Sequence, residues 1–176
     1  MEENRMQTYQ PVKSGKVREI YDLGDNLVMV ATDRISAFDH ILKNKIVQKG
    51  TVLTQMSRFW FDYTADIVPN HMISVEAEDL PEFFRQPEFN GNSMLCRKLH
   101  MIPVECIVRG YITGSGWASY QETGLVCGIQ LPEGLEESQK LPEPVYTPST
   151  KAEIGDHDEN VSFEETVDVI EKEFPG

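Results

Sequence analysis

The sequence lacks any apolar run long enough to cross a bilayer, and its N-terminus, MEENRMQTYQ, is polar with no signal-peptide core. Basic residues are also scarce, since 16 lysines and arginines stand against 29 aspartates and glutamates, for a net charge of −13. A chain this acidic is repelled by nucleic acid and by anionic membranes unless its few cations are clustered. We therefore predict a protein that binds neither nucleic acid nor membranes.

Cysteine is rare, with three residues and no CxxC pair. Such usage excludes a disulfide framework and a cysteine-rich zinc site, and it indicates free thiols in a reducing cytoplasm. What is present is ordinary for a globular protein: 176 residues with 40% hydrophobic content, enough for one average domain or two small ones.

The order of β-rich and helical segments predicts an α+β fold with a largely antiparallel sheet. Residues 17–24 and 26–33 predict a hairpin that turns at Gly24. The clearest helix is predicted over 51–68, capped by Thr51, and we interpret its apolar stripe as core: Leu53, Met56, Trp60, Tyr63 and Ile67.

The second half predicts strands at 93–102 and 104–112, and a short helix at 115–123 that Gly124 ends. The proline-rich stretch 128–148 predicts a loop. A last helix is predicted to begin at Ser162, in a capping box with Glu165 and with the apolar stripe Phe163, Val167, Ile170 and Phe174.

Four stretches carry candidate chemistry, and the first is KSGKVREIY at 13–21. A glycine turn lets backbone amides approach phosphates, and Lys16 after Gly15 adds a positive charge, although the Walker A spacing is missing. The alternative is a plain hairpin with a solvated lysine.

The second stretch is ATDRISAFDHIL at 31–42, where Asp33, Arg34 and Asp39 lie among apolar residues. Charges in such surroundings need partners, and a charged ligand is one candidate. A surface ion pair is the alternative.

The third stretch is PVECIVRGYITGSGW at 103–117. If 104–109 is one strand, Glu105 and Arg109 share a face, and the small residues that follow place Ser115 near a helix start. An arginine beside such a helix start suits a phosphate or carboxylate. The alternative is a Glu105–Arg109 pair followed by a flexible turn.

The fourth stretch, YTPSTKAEIGDHDENVSFEE at 146–165, is dense in polar groups that include Lys151, Asp156 and His157. Its DHDE run could bind a metal, but adjacent acids in a loop more often face water, and hard cations take carboxylates from several segments.

In order along the chain, GKVREIYDLG, ATDRISAFD, VECIVRGYITGSGW and PSTKAEIGDHDENVSFEE resemble SAICAR synthetase. The resemblance implies a ligase of purine biosynthesis that uses ATP and Mg²⁺ to join carboxyaminoimidazole ribonucleotide to L-aspartate through an acyl phosphate. It also implies an antiparallel-sheet ATP-side lobe at 1–102 and the beginning of a second, substrate-binding α+β lobe at 103–176, in a fold related to ATP-grasp.

The resemblance also implies roles for individual residues. Gly15 and Lys16 match positions that contact ATP phosphates, and Glu105 matches one that borders the adenine. The implied catalytic residues are Lys151 and Asp39, and the implied substrate-binding residues are Asp33, Arg34, Arg109, Ser115, Gly116, Asp156 and His157. No metal ligand is identified.

Members of this family continue into a longer second lobe with an acidic motif of the DTKFEFG type, which this sequence lacks. We therefore expect an N-terminal portion of the ligase, and the sequence leaves open whether this portion is active by itself. One alternative is a non-catalytic nucleotide- or phosphate-binding module. Another is an assembly fragment whose helix at 162–174 pairs with a partner or with a second copy. A kinase-like enzyme is less favoured because HRD and DFG motifs are absent.

Overall fold

The computed structural model describes residues 7–37, 40–150 and 159–175. They form two compact units, within 1–99 and 100–176. The α-helices are Lys49–Tyr63 (α1), Gly114–Thr123 (α2) and Phe163–Glu173 (α3). Short 3-10 helices lie at Ala77–Asp79, Glu82–Arg85 and Pro87–Phe89.

The strands of the first unit are Lys13–Ser14 (β1), Arg18–Asp22 (β2), Asn26–Ala31 (β3), Arg34–Ala37 (β4), His40–Lys45 (β5), Met72–Ser74 (β6) and Ser93–Arg97 (β7). Those of the second unit are Val104–Glu105 (β8), Val108–Tyr111 (β9), Leu125–Val126 (β10), Ile129–Gln130 (β11), Lys140–Tyr146 (β12) and Ser149–Thr150 (β13). Every described pairing is antiparallel, which confirms the predicted mix of helices with antiparallel sheets.

The first unit is built on a five-stranded sheet in the order β1-β2-β3-β7-β6. The predicted hairpin is confirmed as β2 and β3, with Gly24 in the left-handed region at φ 94°. Successive side chains of β3 point to opposite faces of the sheet. Val28 and Val30 join a core with Tyr21, Leu80 and Phe84, while Met29 and Ala31 face a cavity beside α1.

Helix α1 differs from its prediction in both its ends and its buried face. It begins at Lys49, before Thr51, and ends at Tyr63, well short of residue 68. Gly50 and Thr54 are its buried residues, and Leu53 also faces the cavity beside the sheet.

The predicted core stripe on α1 is therefore wrong for most of its members. The side chains of Met56, Trp60, Tyr63 and Ile67 are each more than half exposed. The physical reason is close approach: a Cβ on Gly50 would lie 2.2 Å from the Ala31 carbonyl oxygen, so this side of the helix meets the sheet through small residues. The rings of Phe59, Trp60 and Tyr63 are exposed, whereas Phe61 lines the cavity.

In the second unit, the predicted strand 104–112 is divided into β8 and β9. Glu105 in β8 pairs with Ser149 in β13, whereas Arg109 in β9 pairs with Val145 in β12. The facing chain contains Pro148, which has no N–H to give to a ladder. The premise that one strand carries Glu105 and Arg109 is therefore wrong.

Other predictions in this part of the chain meet mixed outcomes. The predicted loop at 128–148 contains the strands β11 and β12, which carries two prolines and a bulge. The predicted strand 93–102 ends at Arg97. Helix α2 does end at Gly124, in the left-handed region at φ 74°, and α3 has the predicted capping box between Ser162 and Glu165.

The core of the second unit consists of Ile112, Val126, Leu131, Leu135 and Leu141. Both ends of the predicted apolar stripe on α3, Phe163 and Phe174, are exposed, and Thr166 is the buried residue of this helix. Within 7–37, 40–150 and 159–175, no helix combines the length and apolar character needed to cross a membrane.

Candidate functional site

In the first unit, the glycine turn at residues 14–18 is closed by several hydrogen bonds. The Gly15 amide donates to the Arg18 carbonyl at 2.7 Å, which folds the turn back on itself. Thr32, directly after β3, holds the same turn, because its backbone amide and its hydroxyl both donate to the Val17 carbonyl, at 2.8 and 2.9 Å. Lys16 is exposed on this turn.

Asp33, predicted to bind substrate, accepts hydrogen bonds from the start of α1. One carboxylate oxygen accepts from the Gly50 amide at 2.9 Å and the other from the Gln48 amide at 3.2 Å. The first turn of a helix has amides with no partner inside the helix, and it carries a partial positive charge. Asp33 thus acts as a cap supplied from a distant part of the chain.

Arg34, also predicted to bind substrate, reaches the glycine turn itself. One terminal nitrogen of its guanidinium donates to the Gly15 carbonyl at 3.0 Å, and the other forms an ion pair with Glu19 at 2.8 Å. Glu19 also accepts from the Tyr21 hydroxyl at 3.1 Å. Burial and this bond to Glu19 raise the pKa of Tyr21 to about 12, so the phenol remains a donor.

A cavity of about 180 Å³ lies beside α1 in this unit, lined by residues that include Arg18, Leu53, Phe61 and His71. Pockets for ligands of nucleotide size usually enclose roughly 300–1,000 Å³. We therefore do not assign this cavity as the nucleotide site.

In the second unit, Arg109 is held by three neutral groups. Its Nε donates to the Thr147 hydroxyl at 3.0 Å, and its terminal nitrogens donate to the Ser115 hydroxyl at 3.1 Å and the Thr113 carbonyl at 3.4 Å. A guanidinium has five N–H donors, so these bonds orient it without using its full capacity.

The first turn of α2 lies directly against this arginine. A Cβ on Gly116 would stand 3.2 Å from Arg109 Nε, so glycine at this position lets the guanidinium approach the helix start closely. The first intrahelical bond runs from the Trp117 amide to the Thr113 carbonyl, and the amides before it form the donor-rich end of the helix. A guanidinium, a hydroxyl and a helix N-terminus together form a candidate anion site.

The predicted site residues therefore fall into separate groups. Gly15, Asp33 and Arg34 meet at the glycine turn and the start of α1, while Arg109, Ser115 and Gly116 meet at the start of α2. Glu105 lies on β8 beside Ser149. The remaining predicted residues lie outside the described part of the chain: Asp39, Lys151, Asp156 and His157.

Sequence inspection missed three residues that this geometry brings in. Thr147 is buried and orients Arg109 from 38 positions away, while Glu19 and Thr32 complete the contacts around the glycine turn. All three lie within stretches that the sequence analysis singled out, Glu19 in the first, Thr32 in the second and Thr147 in the fourth. Nothing in those stretches indicates their partners, which lie 15 to 38 positions away.

Metal binding was left unassigned by the sequence, and the described residues add no candidate. Across 7–37, 40–150 and 159–175, no group of three or more histidine, cysteine, aspartate or glutamate side chains is arranged to hold an ion.

Comparison with known proteins identifies the family to which this chain belongs. A sequence profile described as SAICAR synthetase matches residues 11–174, nearly the whole chain. The chain belongs to the SAICAR synthetase family. It is 75% identical over 162 residues to phosphoribosylaminoimidazole-succinocarboxamide synthase from Lachnospira eligens, covering 92% of this chain and 55% of that one.

Solved structures of the family have the same fold. SAICAR synthase from Saccharomyces cerevisiae, solved in complex with SAICAR, is 41% identical with a TM-score of 0.81, covering 96% of this chain and 57% of that one. A Type-2 SAICAR synthetase solved in complex with ADP is 24% identical with a TM-score of 0.64, covering 91% and 60% respectively. This chain thus spans little more than half the length of its SAICAR synthetase relatives.

Proposed function

We propose that this chain contributes to an ATP-dependent ligase of purine biosynthesis, which joins carboxyaminoimidazole ribonucleotide to L-aspartate. Membership of the SAICAR synthetase family supports the reaction class. Because the chain spans 55% of the Lachnospira eligens relative, the complete reaction is proposed for the full family architecture. The residues described above would supply part of its site.

The observation that carries the proposal is the arrangement around Arg109. We assign the ribonucleotide phosphate to Arg109, Ser115 and the first-turn amides of α2 at Gly116. Because the groups that hold Arg109 are neutral, its positive charge is not cancelled by them, and a phosphate would add an ionic partner. In a protein of net charge −13, such local cation placement is needed to attract an anionic substrate.

The reaction itself requires activation of a carboxylate. The γ-phosphoryl group of ATP passes to a carboxylate oxygen of the ribonucleotide, and ADP leaves. The aspartate amine then attacks the acyl carbon, the C–O bond to phosphate breaks, and the amine loses a proton as the amide forms. Positioning and charge stabilisation are the main contributions a protein makes to phosphoryl transfer.

We assign ATP phosphates to the turn at Gly15 and Lys16 and the adenine border to Glu105, in an architecture related to ATP-grasp. The exposed Lys16 supports this part, because the Gly15 amide already donates to the Arg18 carbonyl and the lysine would supply the positive charge that meets a phosphate. Mg²⁺ would neutralise phosphate charge, but the described residues present no ligand cluster for it, so no step is derived through it.

The remaining assignments are also proposals. Asp33 and Arg34 would support the substrate cleft by holding the start of α1 and the glycine turn in place. Lys151 and Asp39 as catalytic residues, and Asp156 and His157 as substrate contacts, stay predictions, as do the two lobes at 1–102 and 103–176.

Arg109→Ala tests the central assignment. We expect the variant to lose roughly 2–5 kcal/mol of binding free energy for the ribonucleotide, because a charged, hydrogen-bonded anion partner is removed. Calorimetric titration of the purified chain with carboxyaminoimidazole ribonucleotide measures this. Arg58→Ala is the matched control, since Arg58 lies on α1 and forms an exposed ion pair with Glu76, which lies outside that helix. Equal affinity in wild type and Arg109→Ala would remove Arg109 from the site.

The reaction is tested by ADP release with ATP, Mg²⁺, the ribonucleotide and aspartate, omitting each substrate in turn. Release that requires both other substrates would show the complete ligase reaction in this chain. Ribonucleotide binding without release, under conditions where a longer relative is active, would limit the chain to a binding contribution. If the chain neither binds the ribonucleotide nor releases ADP, the proposal is contradicted.

A further inference from the structure

The structure assigns Arg34 a positioning role: we propose that it holds the glycine turn at residues 14–18 in shape and does not itself contact a substrate. This deepens the proposed function, on which it rests only for the identity of the ligand, ATP, that the turn would receive. The shape of the turn is a separate property that can be measured without any ligand.

The guanidinium of Arg34 bridges the two sides of the turn. It donates to the Gly15 carbonyl on the side that enters the turn and to the Glu19 carboxylate on β2, which leaves it. The Arg34 and Glu19 side chains are only 23% and 24% exposed, so water competes weakly for this pair. Arg34 therefore spans a turn that is already closed by the bond from the Gly15 amide to the Arg18 carbonyl.

The backbone that carries Arg34 is itself anchored. Its carbonyl accepts from the Lys49 ammonium at 2.9 Å, and the preceding residue, Asp33, caps the start of α1. Thr32 adds two bonds to the Val17 carbonyl. Residues 32–34 thus connect the glycine turn to α1 through contacts that fix both side chains and backbone.

Direct binding of an anion by Arg34 fits this geometry less well. One terminal nitrogen is paired with the Glu19 carboxylate, which balances the guanidinium charge and would repel an incoming phosphate, whereas the groups that hold Arg109 are neutral. Among the described residues, the Arg34 Nε is buried and has no hydrogen-bond partner, so it is not presented to solvent. A turn that is held in one conformation before a ligand arrives loses less entropy on binding, which is the advantage a positioning residue provides.

Hydrogen exchange of the chain without ligand tests the positioning role. In Arg34→Gln we expect the amide of Gly15 to exchange about tenfold faster, because the bond that closes the turn opens more often, while the amides of β3 and β7 are unchanged. Glu19→Gln should act in the same direction because it frees the guanidinium. Arg58→Gln removes the same charge from an exposed pair and should leave the turn unaffected.

Arg34→Lys keeps the positive charge, but an ammonium cannot bridge two acceptors in the fixed geometry of a guanidinium. The Gly15 amide should therefore exchange faster in this variant than in wild type. This conservative change also serves if Arg34→Gln fails to fold. Unchanged exchange at Gly15 in both Arg34→Lys and Glu19→Gln would overturn the proposal.

Titration with ATP and Mg²⁺ supplies the second measurement. We expect Arg34→Lys to bind ATP several-fold more weakly with ribonucleotide affinity unchanged, a split that general destabilisation would not produce. Weaker ATP binding with normal exchange at Gly15 would mean that Arg34 contacts the ligand directly, which overturns the positioning role. Faster exchange in a chain whose wild type binds no ATP would support the positioning role while contradicting the ATP assignment.

Discussion

At the scale of single residues, Arg109 and Arg34 have different kinds of partner, and we propose different roles for them on that ground. The described partners of Arg109 are two hydroxyls and a carbonyl, all neutral, so its charge is available to an anion. Arg34 is paired with a carboxylate and a backbone carbonyl, so its charge is largely balanced within the protein. The proposed binding role of Arg109 and the proposed positioning role of Arg34 both follow from the charge of their partners.

His71 gives a pH-dependent prediction at the same scale. Burial lowers the pKa of His71 below its ordinary value of 6.5, and its ring lies against Phe61 at a centroid distance of 5.2 Å. The folded protein therefore binds this proton less readily than the unfolded chain does. The contribution of His71 to the free energy of unfolding is fully present above pH 6.5, and it is lost as pH falls through the pKa of His71 in the folded protein.

We expect the unfolding free energy, measured with urea, to decrease as pH is lowered from about 7.5 to about 5.5. The decrease should be larger in wild type than in His71→Gln, because glutamine does not titrate. The measurement is the difference in unfolding free energy between the two proteins at each pH. A difference that stays constant across this range would contradict the prediction.

At the scale of elements, α1 shows that helix formation and helix orientation are decided by different interactions. The periodic apolar residues correctly indicate a helix, but the buried face is set by the small residues that approach β3 and by the Asp33 cap. Phe59, Trp60 and Tyr63 contact one another on the outer face, with Phe59 and Tyr63 stacked at 5.8 Å.

Gly50→Ala tests that close approach. We expect a loss of roughly 1–3 kcal/mol or more in unfolding free energy, because the added Cβ would meet the carbonyl of a central strand, which cannot move aside as a flexible side chain could. Urea unfolding followed by circular dichroism measures it. Gly110→Ala is the control, since a Cβ there has no neighbour within 4 Å. If Gly50→Ala is as stable as the control, the close approach is incorrect.

At the scale of the whole molecule, charge is the dominant property. The net charge of −13 and the pI of about 4.7 mean that acidic groups repel one another across the surface at neutral pH. The exposed aromatic side chains of α1 are compatible with a dispersed protein while that repulsion lasts.

We expect association to increase as pH is lowered toward about 4.7, because proteins near zero net charge lose the repulsion that keeps them apart. Static light scattering at constant protein concentration measures this, and returning the sample to neutral pH tests reversibility. Scattering that stays flat through pH 4.7 would contradict the prediction.

The features that the sequence by itself determined are those with local causes. Gly24 and Gly124 adopt the left-handed conformations that their turns require, and Ser162 with Glu165 forms a capping box within four residues. The family, too, was recognisable from contiguous motifs, because VECIVRGYITGSGW and its companions carry their pattern in short runs of sequence.

Only the tertiary structure decided the features that join distant residues. The bond from Arg109 to Thr147 spans 38 positions, and those from Arg34 to Glu19 and Gly15 span 15 and 19. The rotation of α1 depends on Ala31 and Asp33, which lie outside the helix. Local patterns record what each segment can form, whereas the choice of partner is set by which segments the fold brings within hydrogen-bond distance.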